Sequence, residues 1–328
     1  MGLWNHSTIT QFLPLGLSTD PHAQAALFVL FLNIYLLTIM GNLLLVVVIR
    51  ADSHLHMPVY FFLSHLSFLG FCLSSVTVPK MLKDLLAEIK TMSVRVCLAQ
   101  GFFVFIPAGT EGFLLAMMAY DHFADICHPL LYGQMMRKQL CVQLVWVSCG
   151  LGGLNSLINI LLATSLDFCE SHTTSHYSCE VPCLFPLSCS DVFTNLIVLL
   201  CSTLLHGLGT FFPIISFYAC IVSTILRISS SSGRSKAFST CSSNLMVVDF
   251  FYGSAFLSYL MPTSGYPLEL IFSIQYGVVI PMLNPQIYSL KNKEVKAAVR
   301  RKLQPICHIL GAKGKLEDNM IPATHCVS

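Results

Sequence analysis

The stretch Ala25-Ala26-Leu27-Phe28-Val29-Leu30-Phe31-Leu32-Asn33-Ile34-Tyr35-Leu36-Leu37-Thr38-Ile39-Met40-Gly41-Asn42-Leu43-Leu44-Leu45-Val46-Val47-Val48-Ile49 carries no charged residue over 25 positions. A bilayer core takes about 20 mostly apolar residues per helix, so this run is long enough to cross one. Six further stretches read the same way: Val59–Val78, Leu98–Tyr120, Leu140–Leu162, Leu196–Leu226, Phe238–Leu260 and Leu268–Leu290. The second and seventh are the least apolar. All are long and uninterrupted rather than alternating, which favours helices over barrel strands. Soluble chains carry about 25% charged residues. Here the figure is 10%, with 55% hydrophobic residues and a mean hydropathy of +0.71. The expected fold is an all-α membrane protein, a bundle of seven transmembrane helices.

Orientation follows from lysine and arginine, which gather on the cytoplasmic side. With the N-terminus outside, the inner loops and tail hold Arg50, Arg137, Lys138, Arg227, Arg234, Lys236, Lys291, Lys293, Lys296, Arg300, Arg301, Lys302, Lys313 and Lys315. The outer side holds only Lys80, Lys83, Lys90 and Arg95. Residues 1–24 are then an extracellular tail, 25–290 the membrane domain and 291–328 a cytoplasmic tail. In that tail Val295, Val299 and Leu303 are spaced among basic residues, which suits an amphipathic helix on an anionic inner leaflet. The first 24 residues have no lysine or arginine, so helix 1 is expected to act as its own anchor rather than as a cleaved signal. His6 does not fit a myristoylation signal, and Cys326-Val327-Ser328 is one residue short of a prenylation box. A net charge of +2 gives no field for nucleic acid.

This topology leaves Cys97, Cys169, Cys179, Cys183 and Cys189 outside, where disulfides form. The number is odd, so one thiol is left over, and spacing does not fix the connectivity. His172 and His176 in the same loop make a zinc site the lesser alternative. Asn5-His6-Ser7 is an N-glycosylation sequon in the correct compartment, with Asn5 as the acceptor.

Polar groups at membrane depth call for an explanation. Glu111, Asp249, Asn42, Asn284 and His206 all fall inside the apolar runs, as do Pro107, Pro213, Pro281 and Pro285. Asn42 reads as hydrogen-bonding glue between helices. Glu111 is expected to be protonated or paired with a cation. Kinked helices lining a cavity occur in receptors and transporters alike, so these residues alone leave both classes open.

Five strings narrow the choice. Helix 1 carries Gly41-Asn42. The next segment reads Leu55-His56-Met57-Pro58-Val59-Tyr60-Phe61-Phe62-Leu63-Ser64. Helix 3 ends Met118-Ala119-Tyr120-Asp121-His122-Phe123-Ala124-Asp125-Ile126-Cys127. Helix 6 opens Lys236-Ala237-Phe238-Ser239-Thr240-Cys241-Ser242-Ser243-Asn244-Leu245 and continues to Phe251-Tyr252-Gly253. Helix 7 ends Pro281-Met282-Leu283-Asn284-Pro285-Gln286-Ile287-Tyr288-Ser289-Leu290. In this order, and over nearly the whole chain, they resemble the motifs of odorant receptors, members of the rhodopsin-like G-protein-coupled class. The long outer loop with Cys179-Glu180-Val181-Pro182 resembles the tetrapod-type, class II receptors.

The resemblance implies a multi-pass plasma-membrane receptor with an outward-opening cavity, a small volatile organic ligand, and a stimulatory olfactory-type G protein that raises cyclic AMP. It implies pairing of Cys97 with Cys179 and of Cys169 with Cys189, with Cys97–Cys189 as the alternative. By family position the pocket is formed by Phe105, Ala108, Gly109 and Gly112, with Thr203 and His206, and with Tyr252, Phe256 and Tyr259. Tyr252 is the expected floor. The three small residues of helix 3 leave room for ligand or permit close helix packing; pocket is the expectation for Ala108 and Gly109, and both readings stand for Gly112. Tyr218, Asn284 and Tyr288 match positions that switch partners on activation, while Asp121, residue 122 and Lys236 belong to the G-protein face. No cofactor is implied.

The sequence departs from that pattern at several points. His122 stands where arginine is usual; arginine is always charged and offers five donors, a neutral histidine far fewer. Asp125 adds an acid beside it. Gly70 stands where the family has an acid that shares a sodium ion with the acid at Glu111, so sodium is expected to bind weakly. Asn244 replaces a histidine, and Asp249 a small polar residue. These changes make an odorant-receptor fold with impaired coupling the main alternative. A small-molecule transporter is a distant one, because no inverted repeat is visible. No His-Glu-x-x-His motif or other catalytic constellation points to an enzyme.

Overall fold

The structure is a computed structural model that describes residues 11–14, 20–87, 92–168, 173–174, 181–185, 188–260 and 274–309. Its long helices are α1 (Pro21–Ala51), α2 (Pro58–Leu86), α3 (Val94–Cys127), α4 (Lys138–Thr164), α5 (Phe193–Leu226), α6 (Ser231–Leu260), α7 (Ile280–Lys291) and α8 (Lys293–Ile309). A π-helical turn, Gln275–Val279, leads directly into α7. Among the described residues, α1 to α5 are each long and apolar enough to cross a membrane. So α2, expected to be one of the two least apolar runs, meets that standard. The opening of α6 is rich in serine and carries Arg234 and Lys236. The sequence expectation for helix 7 begins at Leu268, and its first residues lie outside those described.

Local chemistry sets the ends. Asp20 caps α1 by accepting the His22 N–H, with Pro21 at the first helical position, where its missing N–H costs nothing. Ser93 caps α3 by accepting the Val96 N–H. On the outer side three short strands form a sheet in the order β2-β1-β3: β1 (Gln11–Pro14) runs antiparallel to β2 (Met92–Ser93) and parallel to β3 (Thr173–Thr174).

Helix α3 sits centrally and packs on α2, α4, α5 and α6; α1 packs on α2 and α7. Polar residues line this interior, while Val29, Leu30, Val47, Trp146, Leu205 and Phe212 are exposed on the outer faces. That is the pattern of a bundle whose solvent is lipid, where apolar groups lose nothing by facing out. Close approach of α3 and α4 is made by two glycines. A Cβ on Gly109 would lie 2.9 Å from Gly152 Cα, and one on Gly152 would lie 2.9 Å from the Ile106 carbonyl oxygen.

The prolines of helix 7 determine what holds it. Pro285 has no N–H for the Pro281 carbonyl, and Pro281 has none for the Gly277 carbonyl. A neighbouring helix supplies the donor for the first: Asn42 Nδ2 of α1 donates to Pro281 O at 2.9 Å. Near the second, Thr77 Oγ1 of α2 lies 3.3 Å from Gly277 O, but its closer acceptor is Leu73 O of its own helix at 2.9 Å. The adjacent Gly41 lets Pro285 close in, since a Cβ there would lie 3.3 Å from Pro285 Cγ. Asn42 thus acts as the interhelical glue that its place in helix 1 suggests.

Helix α8 turns beneath the bundle at Asn292, whose side chain accepts the N–H groups of Glu294 and Val295 and the hydroxyl of Tyr60. Val295, Ala298 and Val299 are buried in the main hydrophobic core. The face of α8 that carries Val295 and Val299 therefore packs on protein, not on the leaflet, and Lys293 and Lys302 remain exposed. Arg301 reaches back to Asp52 in the first inner loop with Nη2 at 2.8 Å and Nε at 3.1 Å. These bonds and the His54 backbone N–H hold the Asp52 carboxyl well below the usual carboxylate range.

Candidate functional site

Three helices converge on Gly112. A Cβ at that position would lie 3.2 Å from Thr210 Oγ1 of α5 and 3.4 Å from the hydroxyl of Tyr252 of α6. Tyr252 and Thr210 hydrogen-bond to each other at 2.5 Å. Thr210 spends its own proton on the His206 carbonyl at 2.6 Å, so Tyr252 is the donor of the pair. One turn outward, His206 Nδ1 lies 2.8 Å from the Ser202 carbonyl oxygen. A carbonyl can only accept, so Nδ1 bears a hydrogen, and Nε2 is the ring nitrogen left to face a ligand. Aromatic rings surround these groups: Phe113 meets His206 edge-on at 5.6 Å, and Phe211 and Phe251 flank Tyr252 at 5.2 and 5.1 Å. Phe251 in turn contacts Tyr276 of the π-helical turn at 6.3 Å. The arrangement offers an apolar, aromatic wall with a few polar handles, the usual composition of a small-molecule site.

The structure distributes the expected pocket residues unevenly. Gly112, His206 and Tyr252 come together. Thr203 is half-buried on α5, one turn before His206. Phe105 is half-buried against the outer hydrophobic cluster with Cys97 and Phe168, and Ala108 is half-buried on α3. Gly109 faces the α4 backbone, so it serves helix packing. Phe256 and Tyr259 fall on α6, but their side chains lie outside the described residues. Thr210, Phe113 and Phe211 are members that the motifs did not mark. Thr210 shares a face of α5 with Thr203 and His206 at helical spacing, and that periodicity would have found it.

Toward the inner side, Asn244 bridges two tyrosines. Its Nδ2 donates to the Tyr218 hydroxyl at 2.7 Å, and its Oδ1 accepts from the Tyr288 hydroxyl at 2.9 Å, tying α5, α6 and α7 together. Above it, Asn284 Nδ2 donates to Glu111 Oε1 at 3.2 Å. Glu111 thus meets an amide rather than a cationic side chain. Among the described residues no three His, Cys, Asp or Glu side chains gather as a metal site. At the end of α3, Tyr132 donates to Asp121 Oδ1 at 2.9 Å, and burial together with the Asp121 carboxylate raises the Tyr132 phenol above its ordinary pKa. Leu130, beside it on the second inner loop, is 97% exposed.

On the outer side, Cys97 and Cys189 are each in a disulfide. Cys169, Cys179 and the sequon asparagine Asn5 lie outside the described residues, as does the side chain of Lys236.

The sequence profile of a family described as "Olfactory receptor" matches residues 31–305. The chain is 64% identical to human "Olfactory receptor 8S1" over 94% of its own length and 86% of that protein's. It is 46% identical to human "Olfactory receptor 5A2" over 92% of its length and 93% of that relative's. This chain is an olfactory receptor by family. Its fold agrees with the crystal structure of squid rhodopsin at a TM-score of 0.70 and 15% identity, covering 93% of this chain and 94% of that one. It is a multi-pass receptor of the plasma membrane, and its relatives are not enzymes.

Within this olfactory receptor the inner end of α3 is distinctive. His122 is buried, and its Nδ1 is 3.9 Å from Asp121 Oδ2, beyond hydrogen-bond reach. The partner of Asp121 is Tyr132 instead. Asp125, one turn further, is exposed. Asp249 is exposed on α6, three residues before Tyr252. The Gly70 position faces Asn42, whose Oδ1 would lie 3.3 Å from a Cβ placed there.

Proposed function

We propose that this olfactory receptor binds a small, volatile, largely apolar organic molecule between α3, α5 and α6, and that binding activates a stimulatory, olfactory-type G protein that raises cyclic AMP. The observation that carries the pocket is the Tyr252–Thr210 hydrogen bond opposite Gly112. It sets an oriented polar pair close against the α3 backbone at Gly112, where a side chain would crowd Thr210, Tyr252 and Phe251. A polar group on the ligand has His206 Nε2 and the hydroxyl oxygen of Tyr252 to meet, and its apolar remainder has Phe113, Phe211 and Phe251. Ala108, Phe105 and Thr203 would form the outer wall, with Phe256 and Tyr259 above Tyr252 on α6.

Activation would be a population shift toward an arrangement of α5, α6 and α7 that the ligand prefers. The Tyr218–Asn244–Tyr288 bridge lies where these helices meet and would change partners, along with Asn284. Asp121, His122, Leu130 and Lys236 would face the G protein. The donor set around Glu111 does not suit a tightly held sodium ion: Gly70 brings no second carboxylate, and the described partner of Glu111 is an amide N–H.

A second reading is impaired coupling, favoured by His122 itself: it is buried and in place of a permanently charged arginine. Cyclic AMP responses to an odorant panel test the pocket. Tyr252→Phe and His206→Ala should each move the dose–response curve to higher concentration by about tenfold, the loss of one net hydrogen bond. Unchanged curves for both would remove the pocket assignment.

A further inference from the structure

Three polar side chains mark the proposed pocket: His206 and Thr210 on α5 and Tyr252 on α6. In its neutral form each has one hydrogen to donate, and each has already donated it. Thr210 donates to the His206 carbonyl at 2.6 Å, Tyr252 donates to Thr210 at 2.5 Å, and His206 Nδ1 donates to the Ser202 carbonyl at 2.8 Å. What remains is His206 Nε2 and the lone pairs of the Tyr252 oxygen. An imidazole near neutral pH is mostly neutral, and with its hydrogen on Nδ1 the other nitrogen carries a lone pair. Both remaining atoms belong to one level of α3. A Cβ on Gly112 would lie 3.4 Å from the Tyr252 hydroxyl, and the ring of the next residue, Phe113, meets His206 at 5.6 Å. Neighbouring polar groups stand apart. Glu111 is joined to Asn284 of α7, and the Tyr276 ring lies against Phe251 at 6.3 Å, one ring removed from Tyr252.

A ligand hydroxyl brings what this arrangement lacks. It donates to His206 Nε2 or to the Tyr252 oxygen and leaves the Tyr252–Thr210 bond intact. A carbonyl or ether oxygen has no hydrogen to offer. It either sets lone pair against lone pair, or draws the Tyr252 proton away from Thr210 and breaks one hydrogen bond to form another, with no net gain. We infer that the pocket selects small neutral hydrogen-bond donors, alcohols and phenols, over aldehydes, ketones and ethers of the same carbon skeleton. This rests on the pocket proposed above and adds the polarity of its ligand. The selection comes from the direction of three hydrogen bonds rather than from the size of the pocket, so it holds across chain lengths.

The test is ligand-induced thermal stabilisation of the purified full-length receptor, which reads binding whether or not the receptor couples. The probes are hexanol, octanol and benzyl alcohol, each beside its aldehyde, with benzyl methyl ether as a further acceptor without a donor. The alcohols should reach half-maximal stabilisation at about tenfold lower concentration than the aldehydes and the ether, the worth of one net hydrogen bond. That comparison in the native receptor needs no variant to fold. His206→Gln places an N–H donor beside an acceptor at the same position, so it should narrow the gap between each alcohol and its aldehyde. Partition into detergent is the same for both proteins and cancels from the change in that ratio. Aldehydes that bind as tightly as the alcohols, while His206→Gln or Tyr252→Phe still moves the curves, would overturn the donor rule and leave the pocket in place. Curves that neither variant moves would remove the pocket as well, and so would stabilisation by none of the probes.

Discussion

Asn42→Leu isolates the device that holds helix 7. Asn42 donates to Thr38 O and to Pro281 O. The first bond is expendable, because Thr38 O also lies four residues before a backbone N–H of its own helix. The second is not, because Pro285 cannot supply the N–H that a helix would give Pro281 O. Stranding a buried acceptor costs about 1–3 kcal/mol in soluble proteins, and interhelical hydrogen bonds in membranes average about 0.6 kcal/mol. The expected loss is about 1–2 kcal/mol, or roughly a 5- to 30-fold shift in the folding equilibrium. It is read as a lower melting temperature of the detergent-solubilised receptor. The decisive comparison is a double-mutant cycle with Pro285→Ala. Alanine restores an N–H to Pro281 O, so Asn42→Leu should cost less than half as much in that background. The contact between Gly41 and the Pro285 ring is lost in both arms and cancels. Strict additivity of the two substitutions would refute the reasoning, because it would mean that Asn42 and the proline do not act on the same carbonyl.

Gly109→Val should destabilise the receptor by about 1–3 kcal/mol through overpacking against Gly152, seen as reduced surface expression; normal expression with altered odorant preference would return Gly109 to the pocket. Asp249→Leu should raise surface expression, since a carboxyl exposed at membrane depth costs about 2.5–3.5 kcal/mol on insertion scales; a fall would show that the carboxyl has a stabilising partner. For Asp52 the folded-state pKa is depressed, so its contribution is present above the ordinary carboxylate pKa near about 4 and is lost only as pH falls through the lower folded value. Protection of α8 amides relative to their intrinsic exchange rates should therefore be unchanged from about pH 7 to about pH 5, and Asp52→Asn should lower it at both; loss of protection at the lower pH in the native receptor would contradict the Arg301 latch.

The helices were legible because lipid leaves a strong signal: long apolar runs and lysine and arginine gathered on one side. The order of the motifs, from Gly41-Asn42 to the helix 7 prolines, carried the family. What the sequence could not separate were residues of one type with different neighbours. Gly109 and Gly112 lie on the same helix three residues apart, yet one meets the α4 backbone and the other meets Thr210 and Tyr252. Nothing in a one-dimensional spacing distinguishes one neighbouring helix from another. The same ambiguity affects α8, where Val295 and Val299 have the period of a membrane-surface helix but are buried on the bundle. A hydrophobic face reads identically against lipid and against protein. Asn244 was noticed as a departure, but its bridging of Tyr218 and Tyr288 depends on three helices meeting at one level, which only the packed structure gives.

The most direct test of the receptor as a working odorant sensor is cyclic AMP accumulation in cells expressing the surface-tagged protein, beside its His122→Arg form, against a broad odorant panel. The account predicts that the native receptor responds to at least one odorant. A response from the arginine form alone would keep the pocket and assign the native chain to impaired coupling. Silence from both, with surface expression confirmed, would contradict odorant-driven signalling.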